Sequence, residues 1–82
     1  MSKDIKDIKK DILDQFRAIE GEENDLLPQN WLMEEYLPLL NPYEKRDFEK
    51  AIQQLASKGF VKYEKGAVPK LQLTEKGANL IH

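Results

Sequence analysis

Residues 55–81, "LASKGFVKYEKGAVPKLQLTEKGANLI", constrain the fold more than any other stretch of the chain. Val61 and Tyr63 alternate with Lys62 and Glu64, and Leu71 and Leu73 alternate with Lys70 and Gln72. Strict alternation over short runs marks a strand with one buried face. The segment between them, "KGAVP" at 65–69, carries a glycine and a proline and supplies the turn. Keeping the apolar set on one face fixes the register. Val61 falls opposite Leu73 and Tyr63 opposite Leu71. Glu64 then meets Lys70 on the wet face, a favourable cross-strand pair.

The rest of the chain reads as helices. Ile5, Ile8, Ile12, Phe16 and Ile19 recur at spacings of three and four, the apolar face of a first helix over residues 3–20. Gly21 is expected to stop it by taking the left-handed cap conformation. An acidic loop follows, "EGEENDLLPQN", in which Leu26 and Leu27 suit a very short strand. Residues 29–37, "QNWLMEEYL", form a short helix with Leu32 and Tyr36 inward, ended by Pro38. Asn41-Pro42-Tyr43-Glu44 is the sharpest local signal: an N-cap, a proline at the first helical position and a glutamate that reaches back to the cap amide. The helix it opens buries Phe48, Ile52 and Leu55. Gly59 ends it, with Phe60 packing back on Leu55. Thr74 is a second N-cap, for a last helix over residues 75–81.

At 82 residues the chain is one domain, 1–82, and needs nearly every apolar side chain for its core. Hydrophobic residues are 40% and charged residues 34%, the balance of a small globular domain. There is no cysteine, which excludes disulfides and thiolate metal sites and suggests a cytoplasmic location. The first residues mix acids with lysines and lack the apolar core of a signal peptide. No apolar run has the length of a membrane span. The net charge of −2 hides an asymmetry. Residues 1–43 hold 5 basic and 10 acidic side chains, whereas residues 44–82 hold 8 basic and 5 acidic. Such a split hints at a polyanion-facing side.

The order is helix, short strand, helix, turn, long helix, hairpin, short helix. Two helices joined by a turn of about four residues make a helix-turn-helix, 29–58. The hairpin, 60–73, stands where a wing would. The phrase "LASKGFVKYEKG…PKLQLTEKGANLI" resembles the winged-helix DNA-binding domains of bacterial and archaeal regulators of the MarR and PadR types. The residues that carry the likeness are Leu55, Gly59, Phe60, Val61, Leu73, Thr74, Lys76 and Gly77. The resemblance implies a mainly α fold with a small antiparallel hairpin, a winged helix-turn-helix. The turn "PLLNP" departs from the family pattern in having two prolines and no glycine.

By that resemblance the helix at 42–58 is a recognition helix entering the major groove, and the wing touches adjacent backbone. Arg46, Lys50, Gln53 and Gln54 would then face bases, because arginine pairs with guanine and glutamine with adenine. Lys45, Lys62, Lys65 and Lys70 would face phosphates. Three or four such contacts make affinity fall roughly tens- to hundredfold between 50 and 200 mM salt. The expected function is a regulator of transcription that binds double-stranded DNA and needs no cofactor.

The rival expectation is a winged helix used for protein interaction, or for a homodimer through the first helix. Its basis is the acidic balance, the acids at 20–25, the isoleucine stripe, and an apolar patch of Trp31, Leu39 and Leu40. Simple core packing is the competing account of Trp31 and the isoleucines. Glu44, Asp47 and Glu49 also sit where groove entry would occur and would repel phosphate. Enzymatic function is not expected. The single histidine, His82, is the last residue and is expected to be mobile, so the usual nucleophile–base pairs and zinc clusters cannot be assembled. Glu20, Glu22, Glu23 and Asp25 lack the spacing of a calcium loop.

Overall fold

The computed structural model describes residues 3–66 and 69–82; Ala67 and Val68, at the expected hairpin tip, lie outside the described residues. The chain is mainly helical with one two-stranded antiparallel hairpin. Helix α1 spans Ile5–Ala18, α2 Pro42–Ser57 and α3 Glu75–Ile81; strand β1 is Val61–Glu64 and β2 Lys70–Leu73. No helix is long and apolar enough to cross a membrane among the described residues.

Helix α1 starts two residues later than the expected segment and stops two earlier. Asp4 caps it, accepting from the Asp7 N–H at 2.9 Å. Ile8, Ile12 and Phe16 have no exposed surface, so most of the isoleucine stripe is spent in the molecule's own core. Only Ile5, half-buried, and Ile19, exposed, remain near the surface. The expected stop at Gly21 needs correction. Glu20 takes the left-handed conformation, at φ 53°, and the N–H of Gly21 bonds to the Phe16 carbonyl at 2.8 Å. Gly21 is instead closely packed: a Cβ there would lie 3.1 Å from the Phe16 carbonyl and 3.2 Å from Leu73. His82, expected to be mobile, has its Nε2 2.7 Å from the Gly21 oxygen.

The segment expected as a short helix over residues 29–37 is wound differently. Trp31–Tyr36 is a π-helix, closed by the Leu37 N–H on the Leu32 carbonyl, and Leu37–Leu39 is a single 3₁₀ turn. The wider turn brings residues five apart onto one side. Trp31 thereby stacks on Tyr36 with ring centres 4.8 Å apart. Pro38 does not end the helical path. It sits inside the 3₁₀ turn, where its missing N–H has no intrahelical partner to lose. The expected apolar patch dissolves as well: Leu40 is buried, Trp31 is half-buried, and only Leu39 stays out, at 75% exposure.

From Asn41 onward the local chemistry matches its sequence signals. The Asn41 side chain accepts from the Glu44 N–H at 2.8 Å, and the Glu44 carboxylate accepts from the Asn41 N–H at 2.9 Å. Helix α2 turns Phe48, Ala51, Ile52 and Leu55 into the core. Gly59, at φ +81°, then reverses the chain, and Phe60 N–H returns to the Leu55 carbonyl at 3.0 Å. The hairpin pairs Val61 with Leu73, Tyr63 with Leu71 and Glu64 with Lys70, the register that alternation required. A third segment joins at one bridge, Leu26 with Gln72, and the Leu27 N–H bonds to the Leu71 carbonyl at 2.8 Å.

The phrase "LTEKG" works as a clasp between the hairpin and α2. Leu73 is fully buried. The Thr74 hydroxyl accepts from Gly77 N–H and donates toward the Gly59 and Phe60 carbonyls. Lys76 Nζ donates to the Lys58 carbonyl at 2.8 Å and lies over the Phe60 ring. A lysine on a terminal helix carbonyl is electrostatically favoured. Gly77 leaves room for the Phe60 carbonyl, which any Cβ would strike.

Candidate functional site

Helix α2 has a core side, an outward side and two flanks, set by its 3.6-residue period. The core side is occupied by Phe48, Ala51, Ile52 and Leu55. Directly opposite runs an exposed stripe of Tyr43, Arg46, Lys50, Gln53 and Ser57, spaced three and four apart. No carboxylate lies on that stripe. The acids that weighed against a polyanion partner sit elsewhere. Glu44 is buried, with both oxygens engaged by backbone N–H groups of Asn41 and Lys3. These hydrogen bonds, from Asn41 first and Lys3 second, hold its carboxyl below the ordinary carboxylate range. Asp47 is half-buried on one flank of the helix, and Glu49 lies on the other.

That second flank faces the hairpin. Lys45 and Glu49 of α2 meet Tyr63, Lys65 and Pro69 across a groove of about 240 Å³ whose floor includes Phe48 and Leu37. The alternation of β1 turns Tyr63 toward this groove and Lys62 away from it. The eight residues expected to bind DNA therefore fall into three groups and one residue that stands apart, Gln54. Arg46, Lys50 and Gln53 share the outward stripe. Lys45 and Lys65 come together at the groove. Lys62 and Lys70 do not join either group; with Glu64 and Gln72 they line the opposite face of the hairpin, beside Leu26. Gln54 stands between the outward stripe and α1, where its side-chain oxygen accepts from Lys9 Nζ at 3.0 Å.

Two features were not singled out from the sequence. Tyr43 is 75% exposed at the head of the outward stripe. It stands three residues before Arg46 and seven before Lys50, and that spacing is legible once the helix start is fixed. The second is a cluster on the far side of α2's entry. The Tyr36 hydroxyl donates to Asp11 at 2.8 Å, and Lys3 Nζ lies beside both Asp11 and the Tyr36 ring. Burial, and then the hydrogen bond to Asp11, push the Tyr36 hydroxyl well above its ordinary range. Those side chains tie α1 to the π-helical segment.

Among the described residues no group of three or more histidine, cysteine, aspartate or glutamate side chains could hold a metal ion. No protein-family model, no curated protein and no solved structure matches this chain.

Proposed function

We propose that this chain is a winged helix-turn-helix domain that binds double-stranded DNA, acting in the regulation of transcription. The observation that carries the reading is the acid-free stripe on α2, with Arg46, Lys50 and Gln53 exposed in line. An arginine and a glutamine on one exposed helix face suit base edges in a major groove. Lys45 and Lys65, facing each other across the groove beside the hairpin, suit the flanking phosphates. The order of helix, turn, helix and hairpin agrees with the family resemblance on which the expectation began. Fold alone does not confer this function, so the reading rests on the stripe.

The test is a titration of labelled random-sequence duplex at 50 and 200 mM salt, with wild type and an Arg46→Ala, Lys50→Ala double variant. Salt dependence reports the phosphates neutralised by the chain, whereas cations that face bases act on affinity. Wild type should bind in a salt-dependent way, and the double variant more weakly at both salt concentrations. Binding that ignores both salt and the two substitutions would favour the second reading, a protein-interaction module. That reading has its own support in Leu39, a large apolar side chain 75% exposed at the turn before α2. A homodimer remains compatible with either reading, since domains of this kind often read two half-sites.

A further inference from the structure

The outward stripe of α2 begins with an aromatic ring that the fold does not use. Tyr43 is the second residue of the helix and is 75% exposed, although the core of this small domain recruits most other large apolar side chains. Its neighbours on the stripe are the cations Arg46 and Lys50, one and two turns along. Glu44, the adjacent acid in sequence, points the other way and is buried, and Asp47, one turn along on the flank, is half-buried. An exposed ring at the head of a helix stripe that carries Arg46 and Lys50 is complementary to a surface that is anionic overall and apolar at one point. The major groove of B-DNA offers such a point wherever thymine presents its 5-methyl group.

We propose that Tyr43 is a specificity-determining residue of the DNA-binding face, packing its ring on a thymine methyl at the edge of the site. This rests on the DNA-binding reading above and adds the chemical class of base it selects. The first turn is where a recognition helix meets base edges, and Tyr43 sits in it while Gln53 lies near the far end. The contact is made by the ring and not by the hydroxyl, so Tyr43→Phe keeps it and Tyr43→Ala loses it. Removing one methyl from such a contact is worth about fourfold in affinity.

The experiment starts from a random-sequence duplex library enriched on the wild-type chain at moderate salt. The enriched duplex is then resynthesised with deoxyuridine in place of thymidine, one position at a time, which deletes only the 5-methyl group. Affinities are measured for wild type, Tyr43→Phe and Tyr43→Ala, each first checked for an unchanged helical circular dichroism spectrum. The expected result is one or two positions where deoxyuridine weakens wild type and Tyr43→Phe about fourfold and leaves Tyr43→Ala unaffected. Enriched DNA that tolerates deoxyuridine everywhere overturns the inference and leaves DNA binding standing. So does a methyl effect that persists in Tyr43→Ala. A library that is never bound in a salt-dependent way overturns the DNA-binding reading itself, and the assignment of Tyr43 with it.

Discussion

Glu44 accepts the backbone N–H of Lys3 at 2.6 Å, joining the first turn of α2 to the chain that leads into α1. The other carboxylate oxygen closes the capping box on Asn41. One side chain thus caps a helix and fixes the approach of another, and it does so only when ionised. Its carboxyl is held below the ordinary value of 4.5, chiefly by the Asn41 and Lys3 N–H groups. In acid the unfolded chain takes up a proton on this group before the folded chain does. The stabilisation is therefore complete above about pH 4.5 and lost as pH falls through the lower folded value. Glu44→Gln should lower the urea midpoint at pH 7 and flatten the loss of stability between pH 5 and pH 3. Parallel pH curves for the two proteins would show that the carboxylate charge is not what matters.

Two glycines that look alike in the sequence should fail for different reasons. Gly59 lies at φ +81° with open space around it, the nearest atom to an added Cβ being Lys76 Cδ at 3.7 Å. Alanine there pays only the left-handed strain, about 1 kcal/mol. Gly77 has an ordinary helical backbone, but its Cβ would strike the Phe60 carbonyl and come within 2.7 Å of Leu73 Cδ1. Alanine there forces α3 off the hairpin and should cost about 3 kcal/mol. Urea denaturation of the two variants separates these mechanisms, and equal losses would contradict the packing account of Gly77.

What the sequence revealed, and what it did not, divides along the same physical line. Features set by neighbouring residues were readable: the Asn41–Glu44 box, the Gly59 reversal, the Thr74 cap and the hairpin register all follow from local chemistry. Features set by distant contacts were not. The π-helical winding at Trp31–Tyr36 is associated with the Trp31–Tyr36 stack and with Tyr36 reaching Asp11 on another helix, neither of which leaves a periodic trace. The helix stop expected at Gly21 falls earlier, at Ile19 and Glu20, and the crowding at Gly21 comes in part from Leu73, far along the chain. The candidate site shows the same split. Arg46, Lys50 and Gln53 follow from helical spacing alone. That Lys65 meets Lys45, while Lys62 and Lys70 turn to the other face, depends on how the hairpin lies against α2.

The Tyr36 hydroxyl is the clearest buried polar contact between elements. It donates to Asp11 at 2.8 Å within a setting that also holds Phe48 and Lys3. Phenylalanine in its place leaves Asp11 its contact with Lys3 but removes the charge-assisted bond, a loss of about 1.5 kcal/mol. The sign at high pH is opposite to that of Glu44. A hydroxyl raised above its ordinary value of 10.0 contributes stability that is complete below that pH and lost as pH climbs beyond it. Tyr36→Phe should therefore be less stable at pH 7 yet lose less on going from pH 9 to pH 11. A variant whose alkaline loss matches that of wild type would mean that Tyr36 ionises as freely folded as unfolded.

The two faces of the hairpin give the sharpest test of how DNA would be met. Lys65 shares a groove with Lys45 at the edge of the outward stripe, whereas Lys62 and Lys70 line the opposite face with Glu64 and Gln72. All three lysines are exposed, so replacing them disturbs the surface and not the core. If phosphate lies along the groove side, Lys65→Glu removes a contact and adds a repulsion, and should weaken binding to duplex DNA about tenfold at 100 mM salt. The Lys62→Glu, Lys70→Glu pair changes net charge twice as much but acts only through the screened field. At that ionic strength the field decays over about 10 Å, so the pair should cost less than the single change. Anisotropy titrations of the three proteins on one duplex would decide it. A double variant that loses more than Lys65→Glu would place the DNA on the Lys62 face.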